Sequence, residues 1–232
     1  MVEGRQYHAV VVLSDGRLLA IGGKGIAAQS HGRGSPHLST VEVFDPAANE
    51  WVRTESMSLP RERPAAVTLV DGRVVAAGGA TLDRNSTNVT EIWDPETGLW
   101  VRAASMNQAR EKMPVVLLGD GRVMVIGGAD SEAQRSATAE IFDPDSDTWT
   151  EVAPMAERRI WHTATILADG RVLVTGGGNP DGPFLASAEI FDPETGEWSS
   201  AGSMNESRSQ HTATLMVDGR GVVVGGRGKR QS

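Results

Sequence analysis

The sequence predicts an all-β fold, and three observations support this prediction. The tripeptide Asp-Gly-Arg occurs five times, beginning at Asp15, Asp71, Asp120, Asp169 and Asp218. A Gly-Gly pair follows each tripeptide at the same distance, and Asp-Pro recurs every 49 residues from Asp45 to Asp192. No segment shows the periodicity of a helix. Such a repeat indicates an architecture built from one small supersecondary unit.

Each repeated unit is predicted to form four antiparallel strands. Apolar runs flank Asp-Gly, as at Ala164–Leu167 and Val172–Val174, and Asp-Gly adopts the positive φ angles of a hairpin turn. A third, alternating strand such as Ala188–Phe191 ends at Asp-Pro, where proline removes a ladder donor. The fourth strand begins at a recurring tryptophan, here Trp198. Four strands per unit predict a β-propeller of about five blades, four complete and a two-stranded fifth.

The repeat also sets the domain organisation. We expect one propeller over residues 1–232, with blades at approximately 5–60, 61–109, 110–158, 159–207 and a partial blade at 208–232. The longer first interval places an insertion between Lys24 and Thr40. The incomplete last blade leaves Val222–Val224 as an apolar edge, which predicts self-association through that blade. A fragment of a larger propeller, or closure by another chain, is the alternative.

The repeated residues resemble the kelch repeat. The fourth unit, Arg159 to Met204, carries the pattern most fully: Arg, His-Thr-Ala, Asp-Gly-Arg, Gly-Gly, Ala-Glu-Ile-Phe-Asp-Pro, Trp and Met. The resemblance spans almost the whole chain and implies a propeller fold. Kelch propellers include adaptors, ligand binders and a few enzymes, so the resemblance does not by itself select a function.

Composition excludes several classes of protein. The chain has 30 acidic and 22 basic residues and no cysteine, which excludes disulfides and thiolate metal sites and argues against nucleic-acid binding. With a single tyrosine, Tyr7, and no cysteine, the copper–radical cofactor of galactose-oxidase-type relatives cannot form. No cofactor is predicted. Without a signal peptide or a long apolar stretch, we expect a cytoplasmic protein that binds no membrane.

Residues that recur in every blade are expected to be architectural. The glutamates Glu42, Glu91, Glu140 and Glu189 are predicted to pair with an arginine column formed by Arg5, Arg61, Arg110, Arg159 and Arg208. The tryptophan column is predicted to pack between blades. Function should lie where the repeat is irregular, on the face that carries the post-Gly-Gly loops and the interblade connections.

The candidate ligand-binding rim lies on that face. It comprises Gln6, Tyr7, Glu62, Arg63, Glu111, Lys112, Arg158, Trp161 and Gln210. We expect the column arginines to make this rim basic, and guanidinium groups suit carboxylates. A protein, a peptide or a small carboxylate-bearing ligand is therefore the expected partner. The alternative is that Glu62 and Glu111 merely pair with the nearby cations.

Two functions remain open. A binding scaffold is favoured. The alternative is a lyase, cyclase or isomerase with its site at the propeller axis, with candidate catalytic residues Tyr7, Glu111, Lys112, Trp161 and His162. His8, His162 and His211 share one column and are weak metal candidates, since imidazoles suit zinc, copper or iron. A structural role for these histidines is favoured.

Overall fold

The computed structural model describes residues 1–26, 35–82, 85–132, 134–178 and 184–228, and all regular structure in them is β. The chain divides into two compact units, Met1–Glu111 and Lys112–Ser232. No helix in the described part of the chain is long and apolar enough to span a membrane.

The first unit contains two four-stranded antiparallel sheets. Its strands are β1 (Arg5–Gln6), β2 (Ala9–Val12), β3 (Leu18–Ile21), β4 (Lys24–Gly25), β5 (Val41–Asp45), β6 (Glu50–Thr54), β7 (Ala65–Thr68), β8 (Val74–Ala77), β9 (Thr90–Trp93) and β10 (Trp100–Ala103). Blade 1 has the order β2-β3-β5-β6 and blade 2 the order β7-β8-β9-β10. The short strands β1 and β4 pair with each other, and part of the predicted insertion, including His31, lies outside the described residues.

The second unit continues the same plan. Its strands are β11 (Val115–Leu117), β12 (Val123–Ile126), β13 (Ala139–Asp143), β14 (Thr148–Val152), β15 (Thr163–Ile166), β16 (Val172–Thr175), β17 (Ser187–Asp192), β18 (Glu197–Ser203), β19 (Thr212–Leu215) and β20 (Gly221–Val224). Blade 3 is β11-β12-β13-β14, blade 4 is β15-β16-β17-β18, and blade 5 is the hairpin β19-β20. The predicted fold class is confirmed, including four complete blades and a two-stranded fifth.

Each blade has a turn end and a rim end. At the turn end of blade 4, Asp169–Arg171 joins the first two strands and Asp192–Gly196 joins the last two. At the rim end lie Arg159–His162 and Gly176–Gly178. In the Asp-Gly-Arg turn the carboxylate of Asp169 accepts hydrogen bonds from the backbone N–H and from Nε of Arg171, while Gly170 has a φ of 85°. This explains why all three residues recur.

The core of each unit lies between neighbouring blades, where the second strands are buried. All four residues of β12 are fully buried. The tryptophan column has a role within the blade as well as between blades. Phe191 and Trp198 face each other across β17 and β18 with ring centroids 5.1 Å apart, and the indole N–H of Trp198 donates to the carbonyl of Ala153 in the connection from blade 3. The predicted packing between blades is thus accompanied by a contact within the blade.

Candidate functional site

The arginine column forms a buried clamp at the rim end of the blade. Arg159 donates from Nη1 to the carbonyl oxygens of Gly176 and Ser187, at 2.8 and 2.9 Å, and from Nη2 to Glu189 Oε1 at 3.0 Å. Its side chain is fully buried. The clamp ties the start of blade 4 to its second and third strands. Equivalent clamps join Arg5 to Gly22, Thr40 and Glu42, and Arg61 to Gly78, Val89 and Glu91.

These clamps confirm the predicted glutamate–arginine pairing in blades 1, 2 and 4. They also show that the expected contribution of the column arginines to a basic rim is wrong. Arg5, Arg61 and Arg159 are buried, and their guanidinium groups already donate to carbonyl and carboxylate oxygens of their own blades. The sequence predicts this pairing, but it does not show that the paired guanidinium groups are buried.

Two residues after each column arginine, the backbone adopts a left-handed conformation. The φ angles lie between 53° and 61° at Tyr7, Arg63, Lys112, Trp161 and Gln210, which we call the rim column. None of these residues is glycine, although left-handed φ is unfavourable for residues with a side chain. No glycine marks these positions, so this conformation could not be predicted from the sequence.

Backbone hydrogen bonds hold the rim column in place. In blades 1, 2, 4 and 5 the residue before the rim-column member pairs with the residue after Gly-Gly, as Ile160 does with Gly178 and Ser209 with Arg227. Within the second unit, the N–H of Trp161 donates to the carbonyl of Lys112, and the N–H of Gln210 donates to that of Trp161. In the first unit the N–H of Arg63 donates to the carbonyl of Tyr7 at 2.7 Å. Within each unit, the rim-column residues of neighbouring blades are therefore linked by their own backbone.

The rim of the first unit is a compact charged cluster. The guanidinium of Arg63 lies 4.3 Å from the centroid of the Tyr7 ring, and its Nη1 donates to Glu62 Oε1 and, at 3.0 Å, to Glu111 Oε2. His37 Nε2 lies 3.8 Å from Glu62 Oε2, an oxygen that is buried and accepts no hydrogen bond from the described residues. Burial lowers the pKa of His37, although the carboxylate of Glu62 opposes that shift.

This cluster matches the alternative interpretation of the rim glutamates. Arg63 pairs with both Glu62 and Glu111, so two carboxylates surround one guanidinium. Any carboxylate ligand must therefore compete with these side chains for Arg63.

The rim of the second unit has a different chemistry. The Lys112 ammonium lies 5.9 Å from the centroid of the Trp161 ring, at the outer limit of a cation–π contact. Gln210 and Arg158 are exposed, whereas Ile160 is buried. Gln6, in the first unit, is also exposed. Both units thus present polar and aromatic side chains from equivalent positions of their blades.

The histidine column has a packing role in the second unit. A Cβ at Gly127 would lie 2.8 Å from His162 Cε1, and one at Gly176 would lie 2.9 Å from His211 Cε1. Each ring therefore fills the space left by the first glycine of a Gly-Gly pair. Burial, together with the charge of Arg159, lowers the pKa of His162 to about 3.

His211 Nε2 is within hydrogen-bond distance of the hydroxyls of Thr163 and Thr175. In the first unit, a Cβ at Gly23 would lie 2.9 Å from His8 Cβ. Among the described residues, no group of three or more His, Asp or Glu is arranged to hold a metal ion. The column position of these histidines is accounted for by packing against glycine.

A cavity of about 360 Å³ lies at the turn end of blades 3 and 4, where the sequence predicted no site. It is lined by the Asp120 and Asp169 turns and by Asp192–Glu194. Asp120 and Asp169 already bind Arg122 and Arg171. The cavity is therefore an acidic surface feature and adds no residue to the candidate site.

The fold and the repeated clamps define a class, the kelch-repeat β-propellers. The family model for the Kelch motif matches residues 7–58, 63–107, 112–156 and 162–205, and the chain belongs to this family. Among solved structures, it is similar to one described as "Structure of YjhT", with a TM-score of 0.80 and 16% identity over 97% of this chain and 78% of that one. At this identity the likeness concerns the fold. No curated protein matches the sequence.

Proposed function

We propose that this protein is a binding scaffold and that the rim column contacts its ligand. The observation that carries the proposal is the left-handed backbone at Tyr7, Arg63, Lys112, Trp161 and Gln210. Strained residues persist where the surrounding structure holds them, and they are concentrated at functional sites.

A second left-handed position in the same blades provides the comparison. The turns between the third and fourth strands contain Asn49, Gly98, Asp147 and Gly196, which we call the turn column, with φ between 51° and 75°. Glycine, asparagine and aspartate are the residues that adopt this conformation most easily. In the turn column the left-handed backbone therefore costs little conformational free energy.

The rim column does not follow that rule. A side chain in the left-handed region costs about 1–2 kcal/mol relative to an unstrained residue, and glycine would remove the strain. The five positions instead carry a phenol, a guanidinium, an ammonium, an indole and an amide. Constant conformation with varied chemistry supports a role for these side chains in ligand recognition.

The ligand is proposed to be a protein segment, a peptide or a small molecule. A carboxylate-bearing ligand stays a prediction, and it would replace Glu111 on Arg63, whose guanidinium already lies over the Tyr7 ring. A basic ligand would instead bind Glu62 Oε2, the buried oxygen without a hydrogen-bond donor among the described residues.

Calorimetry with two ligand sets tests this proposal. One set contains small dicarboxylates, sugar acids and acidic peptides; the other contains basic peptides of matched length. We expect a ligand from one set to bind, and Trp161→Gly or Tyr7→Gly to weaken that binding at least tenfold without unfolding the protein.

Asp147→Gly, which relieves the same backbone strain at the turn end, is the matched control and should bind normally. Binding that survives glycine at every rim-column position would rule the proposal out.

A further inference from the structure

A groove in the second unit lies where the connection from blade 3 passes the third and fourth strands of blade 4. It has a volume of about 490 Å³, and its lining contains no member of the rim column. The lining includes Glu157 and Arg159 from the connection, Ser187 and Glu189 from β17, and Trp198 and Ser200 from β18. The groove is therefore distinct from the proposed ligand site.

Glu157 in this groove has a counterpart in blade 1. Both Glu157 and Glu3 stand two residues before a column arginine. Glu157 Oε2 accepts hydrogen bonds from Ser187 Oγ and, at 2.9 Å, from Arg159 Nη2. Glu3 Oε2 accepts a hydrogen bond from Thr40 Oγ1 at 2.7 Å. Because Ser187 and Thr40 both lie two residues before a clamp glutamate, the two carboxylates extend their clamps in the same way.

The two blades differ in the residue that covers this carboxylate. In blade 1, Arg53 lies opposite Glu42 in the strand pairing and donates from Nη2 to Glu3 Oε2 at 3.4 Å. In blade 4 the residue opposite the clamp glutamate is Ser200. The Glu157 side chain is 38% exposed, and no donor among the described residues bonds to its Oε1. Serine in place of arginine therefore leaves the groove open beside Glu157.

Blades 2 and 3 do not share this combination. Blade 2 has Leu59 at the position of Glu157 and Arg102 on its fourth strand, opposite the clamp glutamate. Blade 3 has Gln108 and Glu151 at the same two positions. Among the four complete blades, only blade 4 combines a glutamate in the connection with a small residue on the fourth strand.

We propose that the groove binds an arginine side chain of a partner protein, in the position that Arg53 occupies in blade 1. The lining holds two carboxylates, Glu157 and Glu189, and one guanidinium, Arg159, so its charge favours a cation. A guanidinium donates several hydrogen bonds in one plane and also stacks on aromatic rings. Glu157 Oε1 and the Trp198 ring offer both kinds of contact within the same lining.

The arginines of this chain favour a different protein over a second copy as the source of that side chain. Each Asp-Gly-Arg turn pairs its arginine with its own aspartate, and Arg102 donates to Ser58 Oγ. Arg158, the chain neighbour of Glu157, does not line the groove and forms no ion pair with Glu157 in the described structure. A second copy of this chain is the competing occupant.

Titration of the full chain with blocked tripeptides, followed by nuclear magnetic resonance, tests the proposal. The probes are acetyl-Gly-Arg-Gly-amide and its citrulline counterpart, which keeps the shape of the side chain but carries no charge. We expect the arginine peptide to shift the signals of the Trp198 indole N–H and of the Ser199 and Ser200 amides. The citrulline peptide should bind at least tenfold more weakly, because the charge-assisted hydrogen bond is lost.

Four variants separate the groove from general charge effects. Glu157→Gln should weaken binding at least tenfold, whereas Glu194→Gln, which removes an exposed carboxylate at the turn end of the same blade, should leave it unchanged. Ser200→Arg supplies an arginine from within the blade and should abolish binding. Thr195→Arg adds the same charge at the turn end and should bind normally. Circular dichroism checks folding, and Ser200→Arg tests the site if Glu157→Gln is unstable, because it removes no clamp contact.

Equal binding of the two peptides, or signal changes confined to residues outside the groove, would overturn the proposal. So would peptide binding that Ser200→Arg leaves intact. If the same signals move with protein concentration alone, a second copy occupies the groove, and the assignment to a partner protein is wrong. These readouts do not involve the rim column, so failure here is separate from failure of the proposed ligand site.

Discussion

Both ends of a blade contain an arginine–carboxylate pair and a left-handed residue, but the residues and their burial differ. At the turn end, arginine–aspartate pairs such as Arg171–Asp169 are exposed, and glycine, asparagine or aspartate takes the left-handed position. At the rim end, the arginine–glutamate pair is buried and bulky residues take the left-handed position. The rim end therefore combines a buried ion pair with strained side chains, whereas the turn end combines a solvated ion pair with residues that adopt left-handed φ easily.

The largest difference between the two ends is expected in their ion pairs. Glu189→Ala leaves the buried guanidinium of Arg159 without its main carboxylate and should lower the free energy of unfolding by about 3–5 kcal/mol. Asp169→Ala at the turn end should lower it much less, because that pair is solvated. Urea denaturation measures both. Equal losses would show that the rim clamp is not the stronger constraint.

The next largest difference between the two ends is expected in the free energy of unfolding when a left-handed glycine is replaced by alanine. Gly176→Ala places a Cβ 2.5 Å from the carbonyl oxygen of Arg208 at a φ of 60°, and we expect a loss of about 3 kcal/mol from strain and overpacking. Gly196→Ala has the same left-handed strain, with a φ of 75°, but no atom within 4 Å of the new Cβ. It should cost about 1 kcal/mol. Denaturation midpoints that agree for the two variants would contradict the close packing at the rim end.

Acid should weaken the rim end before the turn end. The folded-state pKa of His162 is about 3, below its ordinary value of 6.5, so between these values the unfolded chain binds a proton that the folded chain does not. Stability therefore falls as pH decreases, by about 2–3 kcal/mol from pH 6.5 to 4.5 for this residue. The turn-end carboxylates Asp169 and Asp218 have lowered pKa values and titrate below that window.

The variant His162→Met tests this assignment, because blade 3 already carries Met113 at the equivalent position. Its free energy of unfolding should depend less on pH between 6.5 and 4.5 than that of the unaltered protein. An unchanged slope would mean that other groups cause the acid sensitivity.

The smallest expected effect is also the most informative about function. Gln210→Gly removes left-handed strain from an exposed side chain and should change stability by no more than about 1 kcal/mol, in the stabilising direction. Gln210→Val should be destabilising, because a β-branched residue resists this conformation. If glycine destabilised as much as valine, the Gln210 side chain would be a structural requirement, and the argument for a ligand-contacting rim column would fail at this position.

Much of the fold could be predicted because its signals are local. Asp-Gly, Gly-Gly and Asp-Pro mark turns through backbone preferences that each residue carries with it. The pairing of Glu189 with Arg159 was also predictable, since both residues recur with the blade. The charge of the rim was not, because Arg5, Arg61 and Arg159 reach acceptors 17 to 37 residues away, and their burial depends on those contacts.

By itself the sequence determined the repeat, the number of strands in each blade and which loops share a face, because spacing and strand alternation set all three. Only the tertiary structure decided which charged side chains are buried and where the backbone is left-handed. Left-handed φ at Tyr7 or Trp161 arises from hydrogen bonds between neighbouring blades in the same unit. Tyrosine and tryptophan have no local preference for this conformation, so their identity does not predict it.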